Sequence, residues 1–245
     1  MTDETRKVLR LSGTDVRQFL QGLVTNDVEK LSHGIVYAAL LTPQGKYRAD
    51  FFLVPDGDDI LLDLHADLAP GLVQALTMYK LRSDVVIEDT NITVTCGLGN
   101  TPNGAFADPR DASLGWRAYD GRPGQEVDWT ELRVAACVPT SGVELNSDTF
   151  ILEANFEKLN GVDFKKGCYV GQEVTARMKH KTELRKGLAV VDLSGKAPVG
   201  TAVFAGEKPA GTLFTQSGNR AIAYLRFDRA QGQMTAGAAT LNYRN

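Results

Sequence analysis

The sequence predicts an α+β fold, a domain with mostly antiparallel sheets followed by a small antiparallel barrel or sandwich. Three observations carry this. Strand and helix periodicities alternate early in the chain in the order strand, helix, hairpin, strand, helix, strand, strand. From Leu184 onward helical spacing disappears and short β-like runs are punctuated by glycines. The chain has 245 residues, 43% hydrophobic and 23% charged, enough for one large domain or one domain plus a smaller one. The predicted boundaries are 1–183 for the first domain and 184–245 for the second.

The elements follow in order. Val8 to Leu11 reads as a strand, and Ser12-Gly13-Thr14-Asp15 supplies capping side chains for a helix with Val16, Phe19, Leu20 and Leu23 on one face. Thr25-Asn26-Asp27 is a side-chain-bonded turn, with capping as the expected role of Asn26 and Asp27. Ile35 to Leu41 and Tyr47 to Val54 form a hairpin across Thr42-Pro43-Gln44-Gly45, which suits a type I turn. On the second strand Tyr47, Ala49, Phe51 and Leu53 share one face while Arg48 and Asp50 share the other, read here as the solvated face.

Ile60 to Leu64 is a strand, and Leu68, Leu72, Leu76 and Tyr79 recur at helical spacing. Strands follow at Val85 to Glu88 and Ile92 to Cys96. The Gly/Pro/Asn/Asp-rich stretch 100–124 reads as a connection with one strand, Leu114 to Ala118. Val127 to Val138 returns to helix, with Trp129, Leu132, Arg133 and Ala136 on one side. A tryptophan and an arginine one turn apart make a flat platform with a cation beside it, suited to an anionic aromatic ligand. The plainer reading is a core tryptophan with a snorkelling arginine. The C-terminal runs are Leu188 to Leu193, Ala202 to Phe204, Gly211 to Thr215, Arg220 to Phe227 and Thr240 to Tyr243.

Composition narrows the function classes. A net charge of -3 gives no global attraction to nucleic acid, so direct nucleic-acid binding is not expected. No apolar run is long enough to span a membrane, and the polar, acidic N-terminus predicts a cytoplasmic protein. Cys96, Cys137 and Cys168 form no CxxC pair, and His33, His65 and His180 no HxxxH, which argues against a disulfide framework or a closed zinc site.

The richest stretch runs from Lys165 to Arg177, Lys-Lys-Gly-Cys-Tyr-Val-Gly-Gln-Glu-Val-Thr-Ala-Arg. Helical spacing begins after Gly171, so Cys168 is expected near a helix N-terminus with two ammonium groups close by. Both features favour a thiolate. A small buried hydrophobe is the alternative for any free cysteine.

Asn155 through Arg177 closely resembles the signature of the YgfZ family, folate-binding proteins that assist iron–sulfur cluster assembly and affect tRNA modification. Phe19 through Asp27 and Pro43-Gln44-Gly45-Lys46 match the same family, so the resemblance covers nearly the whole chain. Its wider kin is the aminomethyltransferase of the glycine cleavage system. That kinship implies an aminomethyltransferase-like folate-binding domain followed by a C-terminal β-barrel.

The resemblance also assigns roles. It implies that activity depends on Cys168, framed by Lys166, Gly167, Tyr169, Gly171, Gln172, Glu173 and Arg177. It implies tetrahydrofolate or a folate derivative as cofactor, with Trp129, Arg133 and Asp50 as contacts. It further implies a transient [4Fe–4S] or [2Fe–2S] cluster, with Cys168 as ligand or exchanging thiol, and iron–sulfur assembly proteins and client enzymes as partners. Aminomethyltransferases carry paired acids where this chain has Ala49-Asp50, which argues against methylene transfer. A folate-dependent aminomethyltransferase using Asp50 and a non-catalytic folate-binding adaptor are the rival expectations.

Overall fold

The computed structural model describes residues 5–181 and 184–243. The chain forms two compact units, Met1–Val127 with Glu157–Val174 and Asp128–Phe156 with Thr175–Asn245. Segment 128–156 thus belongs with the C-terminal strands, and the division falls inside a helix rather than at 183/184.

In the first unit the elements are β1 (Arg6–Ser12), α1 (Val16–Gln21), β2 (Val36–Leu41), β3 (Tyr47–Asp56), β4 (Asp59–His65), α2 (Ala69–Lys80) and β5 (Val86–Asp89). The strands make one antiparallel sheet in the order β2-β3-β4-β1-β5. Alternation along each strand sends Leu9, Leu11, Val36, Ala38, Leu40, Phe51, Leu53, Ile60 and Leu62 to one face. There they form one core with Val16, Phe19 and Leu20 of α1 and Leu72 and Leu76 of α2. The capping expectation at α1 is corrected: Asp15 makes no side-chain cap, because its carboxylate accepts from the Asp84 backbone N–H instead.

The opposite face was expected to be solvated at Asp50, and it is not. Arg48 is exposed, but Asp50 keeps only 6% of its surface in water, and Tyr37, Phe52 and Asp63 beside it are fully buried. A second sheet, ordered β6-β8-β7, is built from β6 (Thr95–Gly97), β7 (Phe106–Ala107) and β8 (Trp116–Ala118). The two-residue β7 is too short to leave a periodic trace in the sequence.

Residues of and after β8 reach the Asp63 carboxylate. Arg6 Nε donates to it at 2.6 Å, Arg117 at 2.7 Å and the Tyr119 hydroxyl at 2.9 Å. Beside them Arg110 pairs with Asp108 at 2.7 Å. The guanidiniums of Arg6, Arg110 and Arg117 lie over the Phe52 ring at 5.6, 4.7 and 4.2 Å. Desolvation alone would raise the Asp63 carboxyl, but Arg6 and Arg117 outweigh it and hold it below the ordinary carboxylate range.

The second unit contains α3 (Trp129–Ala136), most of α4 (Gln172–Lys181), and β9 (Lys186–Ser194), β10 (Ala202–Ala205), β11 (Lys208–Ser217), β12 (Arg220–Arg226), β13 (Gln233–Ala236) and β14 (Ala239–Asn242). These six strands close into a barrel, β10-β11-β12-β9-β14-β13, so the C-terminal region is a barrel and not a sandwich. Its interior is narrow, filled by Val191, Val203, Leu213, Met234 and Leu241 among many alanines. Segment 128–156 is fastened to the strands by two acids. Glu144 accepts from the Thr215 hydroxyl and backbone N–H, and Glu153 accepts from the Tyr224 hydroxyl at 2.6 Å.

Asp63→Asn should remove the counter-charge of Arg6, leave Arg117 only the more distant Asp108 at 3.8 Å, and destabilise the first unit by about 3–5 kcal/mol, measured by denaturant unfolding. Because the folded carboxyl lies below its unfolded value, the folded state binds fewer protons between the two. The parent should therefore hold this stability above about pH 4 and lose it as pH falls further, whereas the variant loses that part of the acid dependence.

Candidate functional site

The site is built on the loop from Gly161 to Gly171, whose mounting starts at the turn after α1. Thr25 and Asn26 are buried and serve as its base. The Thr25 hydroxyl donates to the Gly161 carbonyl at 2.7 Å and accepts from Ala39 N–H. Asn26 donates to the carbonyls of Tyr37 and Asn160 at 2.8 and 2.6 Å, and its own amide oxygen accepts from Asp27 N–H and the Lys30 ammonium. Asp27 caps the following turn by accepting from Glu29 N–H, so capping describes Asp27 but not the wider role of Asn26.

Lys166 reaches into this base. Its Nζ donates to the carbonyls of Gln21, Val24 and Asn26 at 2.9, 2.5 and 2.9 Å, and it lies 5.2 Å from the Tyr169 ring centre. Burial pushes the ammonium down to about 8, against the pull of Asp27 and Asp163. Asp163 steadies the approach, accepting from the N–H groups of Lys165 and Lys166 and pairing with Lys30 at 2.7 Å.

The loop is held at its other end by glycine packing. Gly171 has φ +82°, and a Cβ there would lie 2.6 Å from the Thr42 carbonyl of the β2–β3 turn. Across from it Gly45 has φ +74°, and a Cβ there would lie 2.7 Å from Val174. Gln172 then accepts from Tyr169 N–H at 3.3 Å as α4 begins.

Between these two anchors Cys168 is exposed, as are Lys165 and Gly167, while Tyr169 is buried. The Lys166 ammonium is aimed at backbone carbonyls, and Cys168 lies shortly before α4, which starts at Gln172. Glu173 is exposed on the first turn of α4, and Arg177, also exposed, belongs to the second unit. The other cysteines are differently placed. Cys137 is buried, accepts from the Asn155 side chain and ends α3 at φ 54°, and Cys96 is half-buried on β6.

The three expected folate contacts are divided between the units, Asp50 in the first and Trp129 and Arg133 in the second. Both Asp50 oxygens accept from tyrosine hydroxyls, Tyr37 at 2.9 Å and Tyr47 at 2.6 Å. Trp129 is half-buried at the start of α3. The Arg133 guanidinium donates to the Val138 carbonyl and the Thr140 hydroxyl beyond the end of its helix. Asp50 thus has both carboxylate oxygens engaged by tyrosine hydroxyls, and Arg133 commits one guanidinium nitrogen to the end of its own helix.

Sequence reading missed Thr25 and Asn26 as the base of the site, and Arg6, Asp63, Arg110 and Arg117 as the buried layer. The available signal was the Phe19–Asp27 string, which carries polar residues where a plain capped turn needs only one.

Comparison with known proteins places these observations. Residues 185–245 match the family described as CAF17, C-terminal beta-barrel domain. The chain is 32% identical over 230 residues to iron–sulfur cluster assembly factor IBA57 homolog, mitochondrial, of Mycosarcoma maydis, covering 79% of this chain and 57% of that protein. It is 29% identical over 276 residues to iron–sulfur cluster assembly factor IBA57, mitochondrial, of Homo sapiens, covering 94% of this chain and 78% of that protein. The chain thus spans little more than half the length of the fungal relative. The solved glycine cleavage system aminomethyltransferase T from Bartonella henselae shares its fold, with a TM-score of 0.75, 11% identity, and coverage of 98% of this chain and 82% of that one.

These relatives overturn the cytoplasmic expectation, since their names place them in mitochondria. A polar N-terminus describes a few residues and carries no information on compartment. Among the described residues no helix is long and apolar enough to cross a membrane.

Gly171→Ala should destabilise the first unit by about 1–3 kcal/mol, since it adds both backbone strain and a clash with Thr42. Gly167→Ala, with open space around the Cα and no positive φ, should leave thermal unfolding unchanged within about 0.5 kcal/mol.

Proposed function

We propose that this protein assists assembly of iron–sulfur clusters, with Cys168 offering its sulfur to the iron of a cluster in transit. The observation that carries the reading is Cys168 itself, an exposed thiol on a loop anchored at both ends. The relatives named as iron–sulfur cluster assembly factors support it.

The chemistry asked of the residue is modest. The thiol releases its proton to water, and the thiolate donates an electron pair to iron as one ligand among several. One thiolate does not complete the coordination of a cluster, so the remaining ligands come from a carrier or client protein. The cluster is cargo rather than a resident group, with the [4Fe–4S] type as the class served. Lys166, Tyr169, Gly171 and Gln172 serve by holding the loop, each through the contact described above. Membership in the YgfZ-type branch, and service to tRNA-modifying enzymes among the clients, are parts of the same proposal drawn from the sequence resemblance.

Folate enters as a ligand to be tested. Trp129 offers a half-buried indole for stacking on a pterin ring, and no step is routed through the cofactor. The aminomethyltransferase alternative needs an Asp50 carboxylate turned toward substrate. With Tyr37 and Tyr47 donating to its two oxygens, nothing in the geometry favours that reading.

Cys168→Ala should keep the thermal unfolding midpoint of the parent, since the side chain is exposed, yet fail to restore [4Fe–4S] enzyme activity in cells lacking their own factor. Full restoration by this variant would sink the proposal. Titration of tetrahydrofolate into the purified protein should quench Trp129 fluorescence, and Trp129→Phe should abolish that component of the signal.

A further inference from the structure

We infer that the carbonyls of Gln21, Val24 and Asn26 form a cation socket, and that Lys166, by filling it, positions Cys168. The inference rests on the reading of Cys168 as the working sulfur.

The socket is made by the chain around the end of α1. Gln21 is the last residue of that helix, where carbonyls lack partners from a following turn and carry the negative end of the helix dipole. Val24 and Asn26 lie just beyond, and their carbonyls turn toward the same point, within 2.9 Å of Nζ. An ammonium has three N–H donors and no acceptor, so three carbonyls satisfy it fully. Asn26 fixes the geometry, because its amide ties the turn to Tyr37 on one side and to Asn160 on the other.

The motif lysines thus divide their work. Lys165 is exposed, and Lys166 is spent on anchoring. Removing the Lys166 ammonium leaves three carbonyls facing each other without a donor, which costs more than the bonds themselves. The loop between Asp163 and Gly171 would then keep its glycine anchor and lose its lysine anchor. Lys166 is therefore a positioning residue that acts on where Cys168 is held.

The test compares the full chain with Lys166→Ala, and with Lys166→Met should the alanine variant fail to fold. Amide hydrogen exchange over Gly167–Val170 should rise about tenfold in either variant, while exchange in the barrel stays as in the parent. Ethylammonium should restore protection to Lys166→Ala, and propanol, of similar size but uncharged, should not. The pH dependence of Cys168 alkylation by iodoacetamide should be the same in parent and variant.

Unchanged exchange in both variants would overturn the inference. So would a shifted alkylation profile with exchange unaltered, which would make Lys166 an electrostatic activator of the thiol. Equal restoration by propanol would remove the cation from the argument. These readouts concern the loop alone. Rescue of cells by Cys168→Ala would refute the cluster-assembly reading while leaving them intact.

Discussion

The first unit depends on one carboxylate kept out of water. Asp63 lies in the middle of a sheet buried on both faces, and it is tolerable there because two guanidiniums and a tyrosine hydroxyl converge on it. An antiparallel sheet commonly leaves one face to solvent. Here that face is covered instead, and its charges are matched in kind: Asp63 and Asp108 against Arg6, Arg110 and Arg117, with Asp50 held by two tyrosines. The small sheet β6-β8-β7 owes its place to this layer, since Arg117 and Tyr119 reach Asp63 from it.

The parts of the fold legible in the sequence are those whose signal is local. The β2–β3 hairpin, α2 and most of the C-terminal strands carry their own periodicity or turn residues and form close to their predicted ranges, although β11 starts three residues earlier than expected and β13 was not expected. The buried layer was illegible because a charged residue on alternate strand positions looks the same whether it faces water or a partner from elsewhere. Asp50 shows this: the strand pattern put it with Arg48, and only the tyrosines of β2 and β3 explain why one is buried and the other exposed.

The candidate site was legible in outline and not in mechanism. The Lys-Gly-Cys-Tyr string drew attention to Cys168, and sequence proximity suggested that both lysines would act on the thiol. In three dimensions the nearest neighbour in sequence is not the nearest in chemistry. Lys166 finds its partners more than a hundred residues earlier, at separations of 145, 142 and 140. The contrast among the three cysteines is likewise a matter of tertiary environment. Cys137 ends a helix inside the second unit, Cys96 is half-covered, and Cys168 stands in water on a braced loop.

The separation between Lys166 and its socket bears on the order in which the chain becomes competent. Contacts between distant segments close the largest loops and repay their entropy late in folding. The first unit is interrupted, leaving at Val127 and resuming at Glu157, so the socket is made early in synthesis and its lysine arrives much later. A partly synthesised chain holds an empty seat and no cysteine loop; a misfolded one holds the loop unseated. The braced setting of Cys168 is thereby a property of the finished domain, since neither the early segment nor the late loop provides it alone.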